Sequence, residues 1–257
     1  MTNADGSGAQ FDFGRVVSRT FGLIGRNFVP FSILSGIFVG VPTVILMLIQ
    51  PGLLDQDQGT QSLVTLVAAL VSGLAGLVLQ GALTRASVDD LSGKGASVGP
   101  ALSTGLAVML PMLGLGIVVG VGVVLGMMLL IIPGIYLALR WAVAAPVLVV
   151  EKLGIFPSIG RSAVLTQNHR WAILGLVVLY VVMVFVIYIV IGLALPGAAV
   201  ALYGLSPETP SLILLIILVA IQVLTSMIAT VGGAAIYFEL RQIKEGVGVT
   251  ELAQVFA

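Results

Sequence analysis

The sequence predicts an all-α integral membrane protein with six transmembrane helices, and three observations carry that expectation. Hydrophobic residues make up 59% of the 257 positions and charged residues 9%, against about 45–50% and roughly 25% in an ordinary soluble domain. The charges leave long gaps, with uncharged runs over 27–54, 58–84, 95–139, 171–207 and 209–238. Inside those runs the apolar residues are continuous instead of alternating, which excludes a transmembrane β-barrel.

A helix needs about 20 apolar residues to cross the hydrocarbon core. Four of the runs therefore hold one span each. The run 95–139, extended by apolar residues to Val150, holds two. The spans fall near 29–50, 62–86, 106–131, 134–151, 171–196 and 211–238.

Charge placement sets the expected orientation. Ten of the eleven Lys and Arg fall at one set of span ends, from Arg15 and Arg19 to Arg241 and Lys244. The opposite connections carry Asp55, Asp57 and Glu208 and no basic residue. The positive-inside rule then puts both termini in the cytoplasm, as an even number of spans requires. Residues 1–10 are polar and the first apolar run starts late and runs long, so no cleavable signal is expected. With no cysteine, disulfides and thiolate chemistry are excluded. The chain is expected to form a single membrane domain, 1–257.

Before the first span, FDFGRVVSRTFGLIGRNF has a helical period. Phe13, Val16, Val17, Thr20, Phe21, Ile24 and Phe28 share one face, and Arg15, Arg19, Gly22 and Arg26 the other. A basic amphipathic helix of this kind lies in the membrane interface, where each Arg near an anionic leaflet adds about 1 kcal/mol of attraction. Similar segments precede the third span, with Val98, Ala101, Leu102 and Met109, and the fifth, with Phe156, Ile159 and Ala163. The expected architecture is three degenerate repeats of interfacial helix plus helical hairpin, over 11–93, 94–154 and 155–246, with 247–257 as a cytoplasmic tail. Gly36 and Gly40, Gly116 and Gly120, and Gly122 and Gly126 are small-xxx-small pairs suited to close helix packing.

Catalytic constellations are sparse. The single His169 sits at a span mouth, where a solvated histidine is the ordinary case. The acidic pair Asp89 and Asp90 lacks further oxygen ligands nearby for a divalent ion. No serine pairs with His and Asp, and no metal-ligand spacing occurs. Neither an enzyme nor a cofactor is expected.

Arg140 is the one charge between Lys94 and Glu151. Pro133 and Gly134 are expected to form the tight turn joining spans three and four, with Arg140 roughly 9–10 Å below it at 1.5 Å per residue. An unsatisfied Arg at a helix centre costs about 2.5–3.5 kcal/mol on insertion scales. Either it bonds carbonyls freed at the Pro-Gly break or snorkels to phosphate beside Trp141, or it grips an anionic ligand.

The stretch LLIIPGIYLALRWAVAAPVLVVEKLGIFPSIGRSAVLTQNHRW, with Pro133, Gly134, Tyr136, Arg140, Pro146, Glu151, Arg161, Ser162 and Trp171, resembles a known family. That family is the membrane domain of glycerophosphoryl diester phosphodiesterases, together with its stand-alone YciC-like inner-membrane relatives. AIYFELRQIKEG, with Tyr237, Leu240, Arg241, Lys244, Glu245 and Gly246, is similar to the family's closing pattern. The resemblance implies an all-helical bacterial inner-membrane protein. It does not imply phosphodiesterase activity, because the catalytic barrel of the fused members is absent from this sequence.

Two functions follow as expectations. The first is a non-catalytic module that organises lipid, or a membrane partner or second copy, through its basic interfacial helices. The second is a small-solute or lipid transporter with a path between the hairpins. Anionic headgroups are the expected partners and nucleic acid is not. Arg140, Trp141, Arg15, Arg19, Arg26 and Arg161 are the candidate contacts.

Overall fold

Within a bilayer every backbone polar group must find its partner inside the protein, so an uncharged apolar run closes into a helix. The computed structural model describes residues 11–53, 57–203 and 212–246, with side chains at 11–49, 57–193 and 216–246. Asp55 and Glu208, the polar residues 1–10 and the 247–257 tail lie outside the described residues. Among the described residues the secondary structure is helical, with no strand.

Among the described residues ten α-helices follow one another: α1 Phe13–Arg26, α2 Phe28–Ser35, α3 Val41–Leu53, α4 Gln58–Leu91, α5 Val98–Leu129, α6 Ile131–Arg140, α7 Ala144–Glu151, α8 Ile155–Leu165, α9 Arg170–Tyr203 and α10 Leu212–Glu245. A π-helical turn, Gly36–Gly40, joins α2 to α3. Six segments are long and apolar enough to cross a membrane: Phe28–Ile49, Gln58–Leu91, Val98–Leu129, Ile131–Glu151, Arg170–Leu193 and Ile216–Glu245. The protein is an all-helical, multi-pass membrane protein.

Two spans depart from a plain helix for readable reasons. In the first, Pro42 cannot donate a backbone hydrogen bond, and the turn just before it widens so that the Val41 N–H reaches Gly36 O. In the fourth, α6 stops at Arg140, and α7 resumes at Ala144 after a three-residue turn.

The expected turn at Pro133 and Gly134 is corrected. The chain reverses at Leu130, whose backbone is extended (φ −162°, ψ 147°), and α6 has begun by Ile131. Pro133 and Pro146 each stand third in their helix, where an N–H would have no intrahelical acceptor, so the missing donor costs nothing.

The threefold repeat is not reproduced in full. Separate amphipathic helices precede the first and fifth spans as α1 and α8. The segment before the third span is fused into α5, which runs through Pro111 without a break. The first unit has Asn27 outside the helical region at φ −114°, and the third has Asn168 in the left-handed region at φ 72°. No equivalent breaker stands between Val98 and Leu113.

Packing between spans depends on close backbone approach, because lipid is as apolar as leucine and gives no hydrophobic drive. A side chain on Gly105 of α5 would run into the Val78 carbonyl and the Ala82 backbone of α4. One on Gly126 would meet the backbone of Gly134, fastening α5 to α6 below the reversal. Gly116 and Gly120, also expected to pack, have nothing within 4 Å. A core of Leu23, Phe31, Leu79, Leu83, Met227 and Val231 ties α1 and α2 to α4 and α10.

Candidate functional site

The arginines of α1 pair with carboxylates of the protein, Arg19 part-buried and Arg15 and Arg26 exposed. Asp12 caps the helix by accepting the Arg15 N–H at 3.0 Å. That bond, with the nearby Arg15 guanidinium, holds the Asp12 carboxyl below its ordinary pKa. Val16, Thr20 and Leu23 form the buried stripe. Arg19 Nη1 lies 2.5 Å from Glu239 Oε2, Arg15 Nη1 lies 3.1 Å from Oε1, and Arg19 Nη2 donates to Gln242 Oε1 at 2.8 Å. Glu239 of α10 is completely buried, where an unpaired carboxylate would be costly. Two guanidiniums offset that cost. Burial lowers the Arg19 pKa from its ordinary value, while Glu239 opposes the shift.

Arg26 reaches Asp90 at the end of α4, at 2.7 Å. Arg161 of α8 pairs with Glu151 at 3.1 Å and also with Glu245. Tyr237 donates its hydroxyl to Glu151 at 3.0 Å, and Arg241 pairs with Glu245 at 2.6 Å. This network joins α7, α8 and α10 at the basic end of the bundle. Its two guanidiniums and two carboxylates balance.

Four of the arginines read as headgroup contacts (Arg15, Arg19, Arg26 and Arg161) thus end on carboxylates of the protein itself. The outward surface also carries aromatics: Phe13 and Phe21 of α1 and Phe28 of α2 are exposed, as are Phe156 of α8 and Trp171 of α9. The carboxylate partners Glu239 and Glu245 were missed as site residues. Their signal is an acidic residue embedded in or ending a strongly apolar run, YFELRQIKE.

Arg140 stands at the break in the fourth span. A helix end leaves carbonyls without partners, and the Arg140 carbonyl is met by two hydroxyls, Ser162 Oγ at 3.1 Å and Thr166 Oγ1 at 3.2 Å. Those residues lie four apart on one face of α8 and its cap, and both are buried. Hydroxyls from α8, not the Arg140 guanidinium, therefore satisfy the break. Trp141 packs its ring over Gly122 of α5, where a methyl would collide with it. The Arg140 side chain is exposed and has no ion pair or hydrogen bond among the described residues. One turn earlier, Tyr136 accepts a hydrogen bond from Arg170 Nη1 at 2.7 Å, with the guanidinium carbon 4.5 Å from the ring centre. His169 stacks on Phe11 at 5.9 Å, and burial followed by the Lys244 charge holds its pKa below the ordinary value.

A groove of about 260 Å³ opens between α1, α9 and α10. Val17 and Phe21 of α1, Ala142 of the break, Val177, Tyr180 and Met183 of α9, and Gly232 and Ile236 of α10 line it. Tyr180 reaches across to the Thr225 carbonyl at 3.2 Å, and Tyr188 donates to Gln222 Oε1 at 3.3 Å.

Residues 117–245 match the family model described as the membrane domain of glycerophosphoryl diester phosphodiesterase. The chain belongs to this family. The matched part of the phosphodiesterase membrane domain includes the broken fourth span, the Glu151–Arg161–Tyr237 network and the α9–α10 side of the groove. The first unit, α1 to α4, lies outside it. No curated protein and no solved structure matches the chain.

Proposed function

We propose that this membrane domain is a non-catalytic organiser of lipid in the bacterial inner membrane, with both termini in the cytoplasm. Its interfacial helices α1 and α8 set the protein at the headgroup layer, and an acyl chain lies in the groove between α1, α9 and α10. The groove is the observation that carries this reading. It is an apolar slot of about 260 Å³ lined by side chains of three helices, in which an acyl chain is held by van der Waals packing, since transfer from the surrounding lipid brings no hydrophobic gain. Arg19 is engaged by buried Glu239, while Arg15 and Arg26, though ion-paired, stay exposed beside Phe13 and Phe21 and leave α1 both basic and aromatic at the interface.

Lipid retained through purification tests the reading. Gly232 sits against Thr20 of α1, with room for little more than a methyl. Gly232→Leu fills the slot and is expected to reduce the phospholipid that co-purifies in mild detergent, as measured by mass spectrometry. Unchanged retention with an unchanged melting temperature would reject the groove as a lipid site.

One observation favours a second reading, transport. The fourth span is discontinuous at Trp141–Val143, and discontinuous spans build substrate sites in transporters. Uptake or lipid scrambling by the purified protein in vesicles, lost when the break is altered, would support that reading over the first.

A further inference from the structure

Arg15, Arg19, Arg26, Arg85, Arg161 and Arg241 each end on a carboxylate. Among the described residues, Arg140 and Arg170 are the two arginines that do not. The fold brings these two to one place. Arg170 lies over the Tyr136 ring and bonds its hydroxyl, while Arg140 follows Tyr136 by four residues on α6, so the two side chains neighbour each other on one helical face. The Arg140 carbonyl is bonded by Thr166, four residues before Arg170. Tyr136 occupies only Nη1 of Arg170. Its Nε is buried with no acceptor among the described residues, and the Nε–Nη2 edge presents the geometry of a bidentate fork.

The groove is lined by sequence neighbours of this pair, although neither arginine lines it. Ala142 lies two residues past Arg140, and Ile173, Val177 and Tyr180 follow Arg170 at three, seven and ten residues, on the same face of α9. An apolar slot with two guanidiniums that lack a carboxylate a few residues from its lining suits an amphiphile with an anionic head.

We propose that Arg140 and Arg170, placed on Tyr136, bind the phosphate of an anionic phospholipid whose chain occupies the groove. This rests on the lipid reading above and names the headgroup that the site selects. Arg170 supplies the planar fork and Arg140 a second positive charge on the same phosphate. The buried Nε gains the acceptor it lacks.

The test uses the full chain in detergent micelles, titrated separately with phosphatidylglycerol, phosphatidylcholine and inorganic phosphate, with bound lipid read by native mass spectrometry. The wild type should hold phosphatidylglycerol in preference to phosphatidylcholine. R140Q/R170Q should lose at least about tenfold in phosphatidylglycerol binding, the scale of one charge-assisted hydrogen bond. R140K/R170K, which keeps both charges and loses the fork, should also bind more weakly at an unchanged melting temperature. Equal retention of phosphatidylglycerol by wild type and R140Q/R170Q would overturn the proposal. So would binding of inorganic phosphate with no preference for phosphatidylglycerol. Gly232→Leu separates the two claims. If it abolishes retention while R140Q/R170Q does not, the phosphate site falls and the groove stands. If it leaves retention intact, the lipid reading falls as well.

Discussion

Arg19 and Glu239, 220 positions apart in the chain, meet at 2.5 Å, with the carboxylate completely buried. The pair docks the amphipathic α1 onto the last span, and with Arg15 it sets which face of α1 turns inward. Glu239→Gln leaves Arg19 without its anion and Arg15 with only Asp12. It should destabilise the protein by about 1.5–3 kcal/mol, the range for hydrogen bonds to charged groups. Thermal unfolding in detergent measures this. R19M/E239M should cost less than the sum of the two single changes, because each single change strands the other partner.

The α5–α6 hairpin depends on a close backbone approach at one end. Any side chain at Gly134 would collide with the backbone and side chain of Met127. Gly134→Ala should therefore destabilise by about 1–3 kcal/mol through overpacking. Gly116→Ala, where the added methyl meets nothing within 4 Å, should stay within about 0.5 kcal/mol of the wild type. Melting curves of the two variants, side by side, decide this.

His169 gives a pH dependence with a definite sign. Burial, and then the Lys244 charge, hold its pKa below the ordinary 6.5. As pH falls through 6.5, the unfolded chain takes up a proton before the folded one does. The His169 contribution is therefore complete above about pH 6.5 and is lost as pH falls toward the lower folded value. The melting temperature should drop between pH 7 and pH 5.5, and His169→Phe, which keeps a ring against Phe11, should lessen that drop.

The sequence and structure agree where a single local signal decides. Long uncharged runs identify six spans, because backbone in lipid has no alternative to helix. Of the apolar face read for α1, Val16 and Thr20 are buried, joined by Leu23, while Phe13 and Phe21 face outward. The turn before the fourth span was misplaced because Pro133-Gly134 has the composition of a turn, while proline is equally at home in the first turn of a helix. The break at Trp141–Val143 depends on Ser162 and Thr166 arriving from another helix to take up the Arg140 carbonyl. No window around Arg140 contains that information. The Arg19–Glu239 pair was illegible for the same reason, since its acidic partner comes from the far end of the chain.

The account rests most directly on where a lipid chain lies, and photo-cross-linking measures that. The purified protein, reconstituted with a phospholipid carrying a diazirine on its acyl chain, is irradiated and its adducts mapped by peptide mass spectrometry. Adducts should concentrate at the groove, on Val177, Tyr180, Met183 and Ile236, and should fall in Gly232→Leu. Labelling spread evenly over outward residues such as Leu66, Leu110 and Val121, all exposed, and unchanged in Gly232→Leu would contradict the account.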